Sequence, residues 1–273
     1  MAERYYLHLG TSPRPTTPAE VAEYLTRLFN EGYSTGHIQG FLAALAFLNK
    51  AQGWHASTKD PLVDTAFKGI KKSRITSPDK RLPITGHILH RLLQASERVA
   101  GSSYLCSLFR AMMALGYYAL LRSCEMVLSS SNSHALKLRN VSRNSSSYLL
   151  YFDTYKRSME NSAPLALYPD HLSPYCPVRL LDTYLHIRKG TSELLFILED
   201  GQPVGRRDFA EHLRACANLC GLDSSRINTH SLRIGRATQL YLDGSPTEDI
   251  RRKGRWRSQA FLKYIRPRAV PLN

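Results

Sequence analysis

Apolar residues at helical spacing recur along almost the whole chain, and that period constrains the fold more than any other feature. Val21, Tyr24, Leu25, Leu28 and Phe29 make one stripe, and Ile38, Phe41, Leu42, Leu45 and Leu48 a second. Val63, Phe67 and Ile70 make a third, after Pro61. The punctuation agrees with the period. Thr17, Pro18 and Glu20 form a capping box with proline at the first helical position, and Gly32 stands where the helix should stop. Ser34 is placed to cap the second helix, and Gly53-Trp54 ends it. Residues 1–16 hold little pattern and, with Pro13, Pro15 and Pro18 at their end, predict an extended lead-in.

Residues 73–83 lose all periodicity and carry Pro78, Lys80, Arg81 and Pro83, the composition of a charged linker. A boundary near residue 82 therefore divides the chain into 1–82 and 83–273. Lys68, Lys71, Lys72 and Arg74 run into that linker. They read either as a solvated helix end or as a surface for a polyanion. Beyond it, Thr85 caps a helix with Ile88, Leu92 and Leu93 on its buried stripe. Residues 104–121, 177–188 and 206–219 predict further helices, the last with Phe209, Leu213 and Ala217 inward. Only residues 148–152 and 163–168 are rich in strand formers, and they predict a hairpin whose polar turn contains Lys156. The fold class is mainly α with a small antiparallel β-sheet.

The chain of 273 residues has 37 basic and 22 acidic residues, a net charge of +15. Such an imbalance favours a polyanionic partner, nucleic acid before an anionic membrane. No apolar run approaches the length of a membrane-spanning helix. Five cysteines in irregular spacing argue for a reducing interior rather than a disulfide framework. His212, Cys216 and Cys220 recur every four residues on one helix, but three groups along one face do not close a tetrahedral site, so they read as core residues and not as metal ligands. The sequence holds no Walker loop, dinucleotide fingerprint or nucleophile elbow, and its carboxylates do not cluster as a two-metal site would require.

The chemistry gathers in residues 228–267. His230 and Arg233 are three apart behind Asn228 and Thr229, either of which can cap a helix, and Arg236 follows one turn on. A helix N-terminus already favours anions, and arginine adds a planar fork that grips two phosphate oxygens. Ser245, Pro246 and Glu248 predict a capping box for a short helix that delivers Arg251, Arg252 and Lys253 to Gly254. Ser258 predicts the cap of a last helix bearing Phe261 and Tyr264. Upstream, Arg122 interrupts an apolar run with Glu125 three residues on. That pair is either an ion pair along one helix face or an arginine held rigid for an anion. Taken alone, Lys156 is a solvated turn lysine and Tyr264 a boundary tyrosine packed on Phe261.

The order of these parts resembles the tyrosine recombinase family, the integrases related to those of phage lambda and to the Xer and Cre recombinases. Arg122 with Glu125 matches the family's first-arginine motif, and Lys156, eight residues before Pro164, its hairpin lysine. His230-Ser-Leu-Arg233 matches the His-x-x-Arg box, and Tyr264 the nucleophile. The likeness covers residues 17–264 and implies an N-terminal helical core-binding domain followed by a catalytic domain. One position departs. Nine residues before the tyrosine, where the family has His or Trp, stands Arg255, with Trp256 beside it. This Gly-Arg-Trp sequence resembles recombinases of eukaryotic mobile elements, the Crypton and DIRS types.

The resemblance implies cleavage and rejoining of double-stranded DNA through a 3′-phosphotyrosine, with no cofactor or metal. Arg122, Lys156, His230, Arg233, Arg255 and Tyr264 are the implied catalytic residues, with Glu125 and Trp256 in support. Lys68, Lys71, Lys72, Arg74, Lys80, Arg81, Arg236, Arg251, Arg252 and Lys253 are the expected DNA-binding cations. The family assembles as tetramers on two DNA sites. Nine residues follow Tyr264, Pro267 and Pro271 among them, too few for a long exchanged helix, so either the chain is truncated or the contacts use the Tyr264 helix or the N-terminal domain. A eukaryotic element implies a nuclear protein, any other origin the cytoplasm or nucleoid. A type IB topoisomerase-like nicking enzyme, or a DNA-binding remnant that has lost the reaction, are the alternative readings.

Overall fold

The structure, a computed structural model, describes residues 2–73, 79–128, 134–152, 164–171 and 173–270. The chain divides into two compact units, Met1–Asp79 and Lys80–Asn273. The division falls just before residue 82 for a physical reason. Lys80 accepts a hydrogen bond from Arg226 Nε at 2.7 Å, and Leu82 and Ile84 donate their amides to the carbonyls of Arg226 and Ser231. Leu82 and Ile84 are also buried in the core of the second unit.

Among its described residues the first unit holds the α-helices α1 (Ala2–Leu9), α2 (Pro18–Asn30), α3 (Thr35–Ala51) and α4 (Pro61–Ser73). The box at Thr17 and Glu20 is formed in both directions, and Ser34 caps α3 through the His37 amide. The three apolar stripes meet in one core with Tyr5 and Tyr6. Helix α1 replaces the expected extended lead-in. Its adjacent buried tyrosines do not spell an amphipathic period. It holds because Tyr5 packs on Tyr24 and Phe41, with ring centroids 4.8 and 5.2 Å apart. Tertiary packing supports a helix too short to stand alone.

The second unit contains α5 (Gly86–Val99), α6 (Ser103–Tyr118), α7 (Ser123–Met126), α8 (Pro177–Ile187), α9 (Arg206–Leu219), α10 (Thr229–Leu242) and α11 (Thr247–Lys253). Between α7 and α8 lies a three-stranded antiparallel sheet in the order β1 (Val141–Arg143), β2 (Tyr148–Leu150), β3 (Leu165–Leu167). Strands β2 and β3 are the predicted hairpin, paired Tyr148 to Leu167 and Leu150 to Leu165. Strand β1 was not expected: Val141-Ser-Arg143 is half-exposed to exposed and shows no alternation. Lys156 and Arg74 lie outside the described residues.

Helix α10 runs close against the start of the unit. A Cβ on Gly235 would collide with the Ile84 backbone, so only glycine admits that approach. Three local expectations change. Helix α6 ends at Tyr118 because Leu120 takes a left-handed conformation, φ 48°. Helix α11 starts at Thr247 with Pro246 at the cap and no side-chain cap bond, because the Glu248 carboxylate is held by Arg251. The last helix is a 3₁₀ segment, Gln259–Tyr264, capped by Ser258 as expected.

His212 on α9 is buried, stacked on Phe109 at 4.2 Å, with its Nε2 2.8 Å from Ser96 Oγ. Cys216 is buried beside it, as a core thiol. Burial pushes the imidazole from its ordinary 6.5 down to about 4. The folded state therefore refuses a proton that the unfolded chain binds. The stability from neutral His212 is fully present above pH 6.5 and is lost as pH falls towards 4, up to about 3 kcal/mol. Urea unfolding at stepped pH should show this slope, and His212→Gln should flatten it. An unchanged slope in the variant would exclude His212 as its source.

Candidate active site

Two helix ends, of α6 and α11, and two helix starts, of α7 and α10, build the site, all within the second unit. The turn after α6 carries Leu120 in its left-handed conformation, and the turn after α11 carries Arg255 likewise, φ 54°. Glycine usually takes such positions, and a side chain there costs about 1 kcal/mol. Both turns aim carbonyls at one side chain. Arg233 on α10, 1% exposed, donates Nη1 to the Leu120 carbonyl and Nη2 to the Gly254 carbonyl. Its guanidinium lies over the Trp256 ring, 4.4 Å from the centroid. A Cβ on Gly254 would run into that ring, which accounts for glycine before Arg255-Trp256.

Arg122 caps α7 in extended backbone, so it shares no helix face with Glu125 as one sequence reading had it. Glu125 instead folds back, accepting from the Arg122 amide at 2.7 Å and from Arg122 Nη1 at 2.8 Å. Glu125 Oε2 also accepts from Arg255 Nη2 at 2.9 Å. Arg122 Nη2 reaches the Arg255 carbonyl at 3.3 Å. One buried carboxylate thus serves two arginines, with Arg233 as a third cation nearby. Burial alone would raise the Glu125 carboxyl, yet Arg255, Arg122 and Arg233 together hold it below its ordinary 4.5. Burial first, then repulsion by Arg122 and Arg255, lowers Arg233 from the usual arginine value. Three guanidiniums around one carboxylate leave an excess positive charge that an anion would relieve.

The tyrosine stands beside them. His230 Nε2 is 2.9 Å from the Tyr264 hydroxyl. Trp256 packs against the Tyr264 ring, centroids 4.8 Å apart. Asn228 starts α10 by accepting the His230 amide, so the cap that begins the helix also sets the histidine. Leu120, Ala237, Leu240, Ile250 and Phe261 form a small core on which Trp256, Tyr264 and Ile265 lie. Arg122, Glu125, His230, Arg233, Arg255, Trp256 and Tyr264 are therefore brought together.

The expected DNA-binding cations behave unequally. Lys72, Lys80 and Lys253 are exposed. Lys68 pairs with Asp64 at 2.7 Å, and Lys71 sits 4.2 Å over the Phe67 ring. Arg251 and Arg252 pair with Glu248 and Asp249 at 2.5 and 2.6 Å, and Arg251 also donates to the Trp256 carbonyl. Arg81 is half-buried, its carbonyl accepting from Arg266 Nη1. Arg236 lies over Tyr117 and Tyr118, at 5.3 and 5.4 Å. The sequence reading missed the Leu120 carbonyl, Phe152, whose ring lies 4.4 Å under Arg255, and Thr238. Phe152 was read only as a strand residue, and nothing local ties it to a residue a hundred positions on.

A buried excess of guanidinium charge beside a histidine-tethered tyrosine defines a site that can hold a phosphate against a nucleophile. The sequence profile of the Phage integrase family matches residues 83–266, and the chain belongs to that family. No curated protein sequence matches it. Among solved structures, the XerH site-specific recombinase in a post-cleavage complex with palindromic difH substrate is similar, with a TM-score of 0.65 and 17% identity over 91% of this chain and 68% of that one. The Tn1549 transposon integrase in complex with transposon right end DNA gives 0.60 and 17%, over 97% and 87%. A lambda integrase dimer bound to a COC′ core site gives 0.58 and 16%, over 94% and 67%. At these identities the likeness is one of fold.

Removing the shared carboxylate tests the charge argument. Glu125→Gln should lower stability by about 3–5 kcal/mol at pH 7, the cost of leaving buried cations uncompensated. The stability tied to ionised Glu125 is present above pH 4.5 and lost as pH falls through its lower folded value, so the variant should also lose that acid-side slope. Denaturant unfolding across pH 3–7 reads both. A variant as stable as the parent would show that the arginines are neutralised by other means.

Proposed function

We propose that this chain cleaves and rejoins DNA strands at a specific site through a 3′-phosphotyrosine, as a tyrosine recombinase. The observation that carries this reading is the Tyr264 hydroxyl held 2.9 Å from His230 Nε2, beside the arginines gathered on Glu125. The Tyr264 oxygen attacks the scissile phosphorus, forming one P–O bond as the bond to the 5′ oxygen breaks. His230 takes the tyrosine proton. Arg122, Arg233 and Arg255 face the negative charge that grows on the non-bridging oxygens. Lys156, which follows β2 in the sequence, protonates the departing 5′ oxygen. A 5′-hydroxyl from a second strand then attacks the phosphotyrosine and reverses the steps. The bond energy is conserved in the protein–DNA link.

Double-stranded DNA is the partner, contacted through phosphate by the exposed Lys72, Lys80 and Lys253, and by Lys68, Lys71 and Arg74 beside the linker. Tetramers on paired sites follow from the family rather than from any contact of this chain. The Gly254-Arg255-Trp256 turn supports a mobile element of the eukaryotic branch as source, and with it a nuclear site of action. Among the described residues no helix is long and apolar enough to cross a membrane.

A nicked suicide duplex drawn from a random pool tests the reaction and finds the site together. The parent chain should form a covalent adduct that Tyr264→Phe abolishes, and Lys156→Ala should slow adduct formation by about 10²–10⁴-fold. An adduct that survives Tyr264→Phe would remove Tyr264 from the reaction. Adduct with relaxation of supercoils but no strand exchange would indicate the topoisomerase-like alternative, and no adduct at all the inactive remnant.

Arg255 stands where the family resemblance leads one to expect His or Trp, and its pairing with Glu125 gives it a defined role. Histidine there cannot reproduce the guanidinium bridge. Single-turnover cleavage by Arg255→His should fall by about 10–100-fold with DNA affinity little changed. Undiminished cleavage would show that the position needs only a hydrogen-bond donor.

A further inference from the structure

Thr238 lies on α10, two turns beyond His230, and is fully buried. Its hydroxyl is 2.8 Å from the Ile234 carbonyl, the usual local bond of a helical threonine. That bond alone would satisfy it. The same oxygen, however, is 3.0 Å from the Tyr264 carbonyl, so its one proton is shared between the two carbonyls, and it accepts from the Arg266 amide at 3.0 Å. The two backbone groups that bracket Ile265 thus both end on one hydroxyl. Arg266 is tied further, by its side chain, to the carbonyls of Lys263 and Arg81.

The consequence concerns the tyrosine. One helix holds Tyr264 at both ends: His230 at the hydroxyl and Thr238 at the backbone carbonyl. The two holding residues are eight apart on α10, about 12 Å along its axis. The tyrosine ends a 3₁₀ stretch, Gln259–Tyr264, which Phe261 anchors in the small core and against which Ile265 packs. Hydrogen bonds are directional and set the register of the turn along the helix.

We infer that Thr238 is a positioning residue for the strand-cleavage step: it fixes the register of the Tyr264 turn on the helix that carries His230 and Arg233. The inference rests on Tyr264 being the nucleophile. Valine keeps the shape of threonine but leaves the Tyr264 carbonyl and the Arg266 amide facing a methyl group. Serine keeps the hydroxyl and drops only that methyl.

The test compares the full chain with Thr238→Val and Thr238→Ser in two measurements. The first is the single-turnover rate of adduct formation on a nicked duplex, with DNA affinity measured separately. The second is hydrogen exchange of the Arg266 amide in the DNA-free protein. Thr238→Val should slow adduct formation roughly 10–100-fold at unchanged DNA affinity, as an ångström-scale misplacement of a nucleophile does. It should speed Arg266 exchange about tenfold or more. Thr238→Ser should restore most of both. If exchange speeds while cleavage stays at the parent rate, the hydroxyl is a core bond only, and the positioning role falls while the Tyr264 reading stands. If Arg266 exchange is unmoved, the hydroxyl does not hold the turn, and the inference falls. If the parent chain forms no adduct, or Tyr264→Phe still forms one, the reading beneath it fails, a result that needs no change at position 238. Should Thr238→Val not fold, Thr238→Ala removes the hydroxyl without adding bulk and decides the same outcomes.

Discussion

Burying the guanidinium of Arg233 is the constraint on which the rest of the site depends. A cation at 1% exposure needs acceptors, and the chain supplies two backbone carbonyls and an aromatic face. Each provision has a local cost. Leu120 is left-handed so that its carbonyl turns inward, and Arg255 is left-handed so that the chain can pass Trp256 beneath the guanidinium. Glycine at 254 is required by the same ring. Such strain persists only where the surroundings over-determine it, as they do here from both turns at once.

Charge completes the picture. Burial first, then Arg122 and Arg255, lower Arg233 from the usual arginine value, and Glu125 opposes them from a buried position. The carboxylate organises the arginines without cancelling them. Replacing the family's His or Trp by Arg255 adds a fixed charge, and the structure accommodates it by giving that charge to Glu125 and laying it on Phe152. The arginines are thereby braced by protein groups alone, which is what transition-state stabilisation by preset charges, as in the proposed reaction, requires.

Much of this was legible from residues alone, and the exceptions have reasons. The stripes at Val21 to Phe29 and Ile38 to Leu48, with their caps, specified α2 and α3 because burial of one face and local capping act over a few residues. Helix α1 and strand β1 were not legible, since each is held by packing or pairing with distant segments. Arg122 and Glu125 were readable as partners three apart, but a cap geometry, not a helix face, joins them. Arg251 and Arg252 read as DNA-binding cations, whereas Glu248, expected in a capping box that does not form, and Asp249 pair with them at i−3. Phe152 and Thr238 carry no local signal at all, because their roles depend on which residue lies opposite.

The sequence by itself determined the helical class, the place of the hairpin, and the order in which the chain carries its arginines, histidine and tyrosine. These are matters of periodicity, capping and side-chain chemistry, which neighbours along the chain settle. Only the tertiary structure decided how those residues meet: that one carboxylate serves both Arg122 and Arg255, that two helix ends turn their carbonyls to a buried Arg233, and that α10 holds the tyrosine at its hydroxyl and its backbone. Glu125 with Arg255 and Leu120 with Arg233 are more than a hundred residues apart, the pairs that α10 makes with Gly254 and Tyr264 twenty to thirty-five, and the energies of all of them depend on distance and burial, which no local pattern encodes.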